Sequence, residues 1–117
     1  MLGLMRVVPS AESKRKPRSV TLRQIPSVEF VEALVGGDAQ IIESFDSLLY
    51  NGEVIPCVVV ATKDETKPVN TWMDLLHLQA MIRKNGFSGT DRGDVPPIRG
   101  TAVILQGDDS FMDGLNQ

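Results

Sequence analysis

The sequence predicts an α+β domain with a mostly antiparallel sheet of about five strands and two helices, in the order ββαββαβ. Short segments of alternating apolar and polar residues indicate strands, and two segments with apolar residues at helical spacing indicate helices. Asn51-Gly52 is the strongest turn signal, because both central residues of a type I′ hairpin turn need positive φ. We expect two layers, with both helices packed on one face of the sheet.

Size and composition indicate one ordinary globular domain spanning residues 1–117. Hydrophobic residues make up 42% of the chain and charged residues 23%, a balance typical of globular proteins. No apolar run approaches the roughly 20 residues of a membrane-spanning helix, so no membrane partner is expected. Cys57 is the single cysteine and has no internal disulfide partner, which favours a reducing cytosol.

The net charge of -3 conceals an asymmetry along the chain. Residues 1–24 hold six basic side chains and one acidic side chain, a formal charge of +5, whereas residues 25–117 carry -8. A cluster of bases, termed the basic patch, lies in and just after a loop at residues 9–17: Lys14, Arg15, Lys16 and Arg18. Such a cluster suits phosphates or an acidic partner, but a solvated loop tip between two strands is its commoner role. The acidic remainder of the chain, and the lack of aromatic residues in the basic strands, disfavour nucleic acid.

The start of the chain predicts a hairpin followed by a short helix. Residues 5–8 and 18–23 are expected to be its two strands, joined by the basic loop. Ser27 is expected to cap a helix of about eight residues, which Gly36-Gly37 terminates. The apolar side chains of this helix lie at helical spacing and predict a face packed on the sheet: Phe30, Val31, Leu34 and Val35.

A second hairpin is predicted around the Asn-Gly turn. Residues 39–50 look extended, with a break near Asp46-Ser47, and residues 53–61 form the return strand. Pro56 lacks an N–H for the strand ladder, so we expect it at a bulge or on an unpaired side.

A long helix is predicted over residues 71–85. Thr71 and Asp74 have the spacing of a capping box, and the Asn-Gly dipeptide at 85–86 supplies the left-handed stop. Trp72 belongs to the apolar stripe of this helix and is expected in the core. The apolar arc is broad, so the helix is either buried on more than one side or meets a partner, and homodimerisation is one form of such contact.

Residues 86–100 form a long irregular loop, and loops of this length are uncommon unless they are functional or disordered. The glycines of this loop suggest a phosphate cradle, but the strand–loop–helix context and the GK[ST] signature of a P-loop are absent. Residues 101–105 predict a short central strand. Residues 110–117 predict a tail that docks on the body of the domain.

Short motifs follow one another along the chain in a characteristic order. They are LVGG at 34–37, PVNT at 68–71, GD at 93–94 and RGTAVILQGDD at 99–109. In this order they resemble a family of short phage- and plasmid-borne proteins classed as a domain of unknown function, over residues 25–109. Members of that family typically close with G-D-x-x-x-G-T-x-V-x-x-G, and this chain departs from them in its KDETKPVN turn and its 86–95 loop. The resemblance implies a bacteriophage or mobile-element protein in the cytoplasm of an infected or plasmid-bearing bacterium, and it brings no activity or catalytic residues.

Catalytic chemistry has one candidate pair, Cys57 and His77. A nucleophilic thiolate needs a lowered pKa, commonly from a nearby imidazolium. Cys57 lies in an apolar strand, where burial raises the pKa of a thiol, so a core cysteine is the simpler interpretation. His77 has Asp74 one turn earlier, a spacing at which a carboxylate orients an imidazole. Without a third partner, this pair does not predict an enzyme.

No metal and no cofactor is predicted. One histidine and one cysteine do not make a zinc pattern. Asp108, Asp109 and Asp113 lack the spacing of a calcium loop. They are expected in turns, where an aspartate readily bonds its own backbone.

We therefore expect a non-catalytic protein that binds a host or phage macromolecule, with a protein as the expected partner. Exposed loops held by a rigid sheet commonly carry binding residues, so the surface is assigned to the long loop and the exposed part of the long helix. The expected interaction residues are Asp74, His77, Arg83, Lys84, Phe87, Asp91, Arg92, Asp94 and Arg99. A second hypothesis is a binder of a small, nucleotide-type ligand, which uses the glycine-rich loop with Arg92, Arg99 and His77. A small hydrolase that uses His77 comes last.

Overall fold

The computed structural model describes residues 1–10, 14–42, 46–86 and 97–115. Within these ranges the chain forms seven strands and three helices. In chain order they are β1 (Gly3–Val8), β2 (Arg18–Leu22), α1 (Val28–Val35), β3 (Ala39–Ile41), β4 (Ser47–Tyr50), β5 (Glu53–Pro56), β6 (Val58–Thr62), α2 (Thr71–Asn85), β7 (Ala102–Gly107) and α3 (Asp109–Leu115). The α+β class and the mostly antiparallel sheet predicted from the sequence are confirmed.

Five of these strands form one antiparallel sheet in the order β2-β1-β7-β6-β3, and β4 and β5 form a separate hairpin. The strand that comes last in sequence, β7, lies in the centre of the larger sheet. Its register pairs Val103 with Val7 on one side and with Val60 on the other. The basic strand β2 and the short strand β3 are left as the two edges.

Both faces of the five-stranded sheet are apolar, and both are covered. One face, termed the α1 face, packs against α1 and α3, and its core consists of Met5, Val7, Val31, Val35, Val60, Val103, Leu105 and Phe111. The opposite face, termed the α2 face, packs against α2 and the β4–β5 hairpin, and its core consists of Leu48, Cys57, Val59, Ala61, Met73, Ile98, Ala102 and Ile104. The expectation that both helices cover one face is corrected by this arrangement. Successive residues of the central strands are apolar, so each face needs cover and the domain has three layers.

The cap and turn signals that the sequence gives for α1 and for the Asn-Gly turn are confirmed. Ser27 Oγ accepts the N–H of Phe30 at 3.2 Å and so caps α1. Gly36 ends that helix in the left-handed region, with φ of 91°. Asn51 and Gly52 have φ of 51° and 81° and form the two-residue loop between β4 and β5.

The return strand predicted at residues 53–61 is two strands that belong to different sheets. β5 ends at Pro56 and β6 begins at Val58, and Cys57 is buried between them. The N–H of Cys57 donates to the carbonyl oxygen of Asp46 at 3.0 Å. Proline has no N–H with which to continue a ladder, so the chain changes partner at this point.

Asn70, and not Thr71, caps α2. Its side-chain oxygen accepts the N–H of Met73 at 3.2 Å, and its side-chain nitrogen donates to the carbonyl oxygens of Val8 and Gly100, each at 2.9 Å. Asn70 is fully buried and links α2 to the end of β1 and to the segment before β7. An amide supplies both an acceptor and two donors, which a threonine hydroxyl does not, so the capping box predicted from Thr71 is wrong.

The tail predicted at residues 110–117 contains a helix, α3, which Asp108 caps. The carboxylate of Asp108 accepts the N–H of Phe111 at 2.9 Å, as expected for an aspartate in a turn. Phe111 is fully buried, and its ring lies against the cross-strand pair Gly3 and Gly107. A β-carbon at Gly107 would stand 2.8 Å from that ring, so only glycine fits beneath it.

Candidate protein-binding surface

The interaction surface predicted on α2 lies partly inside the molecule. Asp74 is 8% exposed and His77 is 2% exposed, so neither can serve as an exposed contact residue. Trp72, predicted in the core, is 64% exposed. These corrections share one cause, because Asn70 fixes the start of α2 and thereby its rotation. The face that α2 buries consists of Met73, Asp74, His77 and Ala80.

The cations predicted at the end of α2 are exposed. Arg83 and Lys84 lie in its last turn, and Lys84 Nζ is 3.3 Å from the carboxylate of Asp46. Arg99 is half-buried, and its Nη1 donates to the carbonyl oxygen of Lys67 at 3.0 Å. An exposed ion pair such as Lys84–Asp46 contributes little to stability. The other predicted interaction residues, Phe87, Asp91, Arg92 and Asp94, lie outside the residues that the structure describes.

Cys57 and His77 are both buried, and their protonation states disfavour nucleophilic catalysis. Burial raises the pKa of the Cys57 thiol to about 11, and the smaller effects of Arg6 and Asp46 oppose each other. Burial also lowers the pKa of His77, so its imidazole is neutral at neutral pH. A protonated thiol is a weak nucleophile, and a buried neutral imidazole does not supply the cation that would activate it.

An open groove of about 380 Å³ lies on the α2 face, beside the edge strand β2. Its lining comes from the sheet strands β1, β2 and β7 and from β4 and α2. We term it the tryptophan groove, and it is lined by Arg6, Val8, Pro17, Arg18, Ser19, Leu48, Leu49, Trp72, Leu76 and Ile104. Most of these side chains are apolar, and the two arginines supply its charge.

The apolar character of the tryptophan groove continues onto the surface around it. Leu75 lies one turn after Trp72 on α2 and is exposed, and Leu49 pairs with the exposed Val54 across the β4–β5 hairpin. Exposed apolar patches of this kind mark interaction sites. Trp and Arg are the residue types enriched at the energetic centres of protein interfaces. No local motif marks the groove, because its lining comes from separate segments; the one sequence signal was the broad apolar arc of α2.

Three members of the basic patch line a second pocket, of about 320 Å³, on the α1 face. We term it the basic pocket, and it is lined by Val7, Pro9, Arg15, Lys16, Arg18, Ala33, Leu34 and Thr101. Arg18, the first residue of β2, lines both the basic pocket and the tryptophan groove. The structure therefore brings the basic patch to one edge of the sheet, between these two concave sites. Lys14 is exposed at the same edge.

The other edge of the sheet has the opposite charge. A groove of about 340 Å³ lies there between α1 and β3, and its lining includes Glu32. Glu29 on α1 and Asp38 just before β3 are also exposed. The β2 edge is therefore basic and the β3 edge is mainly acidic.

The described part of the chain holds no group of three or more His, Cys, Asp or Glu residues placed to bind a metal ion. Asp108 is instead a cap, and the hydrogen bond from the N–H of Phe111 holds the pKa of its carboxyl below the usual value. Within the same described ranges, no helix combines the length and the apolar character that crossing a membrane requires.

Comparisons of the chain with models of protein families, with curated proteins and with solved structures give no match. In the tryptophan groove, Trp72 and aliphatic side chains lie beside two arginines, a combination that fits a protein segment with apolar and acidic side chains.

Proposed function

We propose that this protein acts without catalysis, by binding another protein through the tryptophan groove. The observation that carries the proposal is Trp72, the only tryptophan of the chain, which is 64% exposed in a groove that also contains Arg6 and Arg18. A large apolar side chain gains roughly 2–3 kcal/mol when it is buried. Because Trp72 is largely exposed in the domain alone, a partner that buries it gains this free energy on binding.

The charge at the groove supports a partner segment that carries acidic as well as apolar side chains. Arg18 lies where the basic patch meets the tryptophan groove, and residues 1–24 carry a formal charge of +5. Complementary charge raises the rate of association and suppresses wrong partners. The buried, protonated Cys57 and the buried, neutral His77 support binding over hydrolysis.

The cellular setting belongs to the same proposal. The order of short motifs over residues 25–109 supports a protein of a bacteriophage or mobile element, which works in the cytoplasm of the bacterium that carries it. The partner is then a protein of that host or of the phage.

The test uses the purified protein as bait in an extract of the bacterial host. The baits are the wild type, Trp72→Ala and a control, Phe30→Ala, which removes a half-exposed aromatic side chain from α1 on the opposite face. We expect a protein that the wild type and the control retain and that Trp72→Ala loses. The purified partner should then bind the wild type directly in calorimetry, with an affinity at least about tenfold above that for Trp72→Ala.

Two results would overturn the proposal. One is retention of the same proteins by wild type and Trp72→Ala, with equal affinities in calorimetry. The other is recovery of a small molecule, released when the wild-type protein is denatured, with no protein partner.

The basic pocket favours a second candidate function, the binding of a small anionic ligand of nucleotide type. Arg15, Lys16 and Arg18 converge there with Thr101, which suits phosphate oxygens. The test is calorimetric titration with ATP and with pyrophosphate. We expect Lys16→Ala to weaken binding several-fold and Lys63→Ala, at an exposed lysine after β6, to leave it unchanged. Equal binding by both variants would exclude the basic pocket.

A further inference from the structure

We propose that the partner segment binds as an additional strand along the outer edge of β2, and that its sequence alternates apolar and acidic side chains. This inference rests on the proposed function, because the apolar side chains of the added strand occupy the tryptophan groove. The tryptophan groove alone does not define the conformation of the partner segment, whereas pairing with β2 requires an extended strand.

The outer edge of β2 is open to pairing. β2 stands at the end of the strand order, and β1 is its only strand neighbour within the described ranges. In an antiparallel pair, alternate residues of an edge strand direct their N–H and C=O groups away from the neighbour. Such an edge accepts an extended polypeptide, whose backbone hydrogen bonds provide affinity and whose side chains provide specificity. β2 has five residues, of which four are exposed.

The register of β2 assigns its side chains to the two faces. Ser19 pairs with Arg6 and Thr21 pairs with Leu4, so Ser19 and Thr21 share the face of the tryptophan groove. Arg18 pairs with Val7 and the exposed Val20 pairs with Met5, so both lie on the α1 face, with Arg18 at the basic pocket. A strand laid beside β2 therefore has its own alternate side chains directed to these two sites.

The two sites require different side chains of the added strand. Residues directed to the α2 face meet Trp72 and Leu49 and are apolar. The residue directed to the α1 face at Arg18 lies close to Arg15 and Lys16 as well and is acidic. At the Arg18 end of β2, apolar and acidic residues at alternate positions satisfy both faces, and a slip by one residue would exchange them.

The charge of the edge favours another protein over a second copy of this chain. Pairing of two β2 edges would bring two basic patches together, which is unfavourable for like charges. The acidic edge of a second copy offers only β3, a strand of three residues, against the five of β2. An acidic segment of a different protein meets neither restriction.

The test uses defined peptides at the flexible end of a soluble carrier protein, each slightly longer than β2. The first alternates valine and glutamate, the second has the same composition with the two residue types in separate blocks, and the third alternates valine and lysine. Two readouts are independent of each other. Fluorescence of Trp72, the only tryptophan in this chain, reports the groove when the carrier lacks tryptophan, and residue-resolved amide exchange of β2 reports strand pairing.

We expect the alternating valine–glutamate peptide to bind at least about tenfold more tightly than either control peptide. Trp72 emission should shift to shorter wavelength, and those β2 amides that exchange rapidly in the free protein should become protected. Lys16→Glu should weaken this binding about tenfold. Lys63→Glu makes the same charge change away from the β2 edge and should leave the affinity unchanged.

The outcomes separate the two proposals. A shift of Trp72 emission with unchanged β2 exchange overturns strand addition and leaves groove binding in place. Protection of β2 with unchanged emission, and full affinity in Trp72→Ala, supports strand addition and removes the groove as the binding site. Equal binding of all three peptides, or none up to about 1 mM, overturns the alternating acidic segment. Protection of β2 that rises with protein concentration, without peptide, assigns the edge to a second copy.

Discussion

The two faces of the sheet are closed by different kinds of contact. On the α1 face the buried residues are apolar and the fit is steric, as where Phe111 lies on Gly3 and Gly107. On the α2 face the covering helix buries polar side chains, with Asn70 hydrogen-bonded at its start and His77 further along. The rotation of α2 therefore follows its hydrogen bonds more than its apolar pattern, and this rotation leaves Trp72 at the surface.

Among the substitutions that test the two faces, Asn70→Ala should have the largest effect on stability. The substitution removes the cap of α2 and takes the amide donor away from the carbonyl oxygens of Val8, which is half-buried, and Gly100, which is buried. We expect the free energy of unfolding to fall by about 3–5 kcal/mol, as measured by urea denaturation. Thr71→Ala, one residue later at an exposed position, should change it by no more than about 0.5 kcal/mol. Equal effects of the two substitutions would contradict the assignment of Asn70 as the anchor.

Gly3→Ala tests the steric fit of the α1 face. The added β-carbon would overlap the buried ring of Phe111, so the ring or the strand must shift. We expect a loss of about 1–3 kcal/mol in the free energy of unfolding. The double variant Gly3→Ala with Phe111→Leu makes room for the methyl group, so it should be more stable than the sum of the single effects predicts. Strict additivity would mean that the ring and the glycine do not interact.

His77→Gln tests, through the pH dependence of the free energy of unfolding, whether His77 is buried as a neutral imidazole on the α2 face. Burial lowers the pKa of His77 below its ordinary value of 6.5, so below that pH the unfolded chain binds a proton that the folded protein resists. Wild-type stability should therefore fall as pH decreases from 6.5 toward the lowered pKa, by at most about 1.4 kcal/mol per pH unit. The variant should lack this loss.

The carboxylates provide the internal reference for that experiment. Hydrogen bonds from Thr66 lower the pKa of Asp64 below 3.8. The contribution of Asp64 to the free energy of unfolding is therefore lost only in more acidic solution, and equally in wild type and His77→Gln. Superimposable curves of wild type and variant between pH 6.5 and 5 would show that His77 carries no such linkage.

Trp72→Gln should have the smallest effect on stability. The side chain is largely exposed, so we expect the free energy of unfolding to stay within about 0.5 kcal/mol of wild type. Met73→Ala, at the neighbouring and fully buried position, should cost about 2–5 kcal/mol. A large loss of stability in Trp72→Gln would mean that the tryptophan belongs to the fold and not to a binding surface.

Features set by neighbouring residues could be predicted from the sequence. Ser27, Gly36 and the Asn51-Gly52 turn act on backbone groups within a few residues, and each lies where its local chemistry requires. The rotation of α2 could not be predicted, because Asn70 is held by carbonyl oxygens that lie 62 and 30 residues away. Because these contacts are distant in sequence, the pattern of α2 alone predicts Trp72 in the core and His77 at the surface.

The candidate site divides in the same way. The basic patch lies within residues 14–18, so the sequence predicts it directly, and its members lie exposed at one edge of the sheet. The tryptophan groove combines β1, β2, β4, α2 and β7, so it exists only after the chain has folded. The separation of β5 from β6 at Pro56 could not be predicted either. A proline indicates that a strand ladder is interrupted, but it does not indicate which strand the following residues pair with.

The central place of β7 has a consequence for the synthesis of this protein on the ribosome. β1 pairs with β7 across about a hundred intervening residues, and β7 also joins β6. The β1–β2 pair and the β6–β3 pair therefore remain separate until residues 102–107 have left the exit tunnel, and each exposes an unpaired apolar strand until then. Assembly of the sheet must be a late, non-local and correspondingly slow step, and the nascent chain is open to capture by chaperones or to aggregation during that interval.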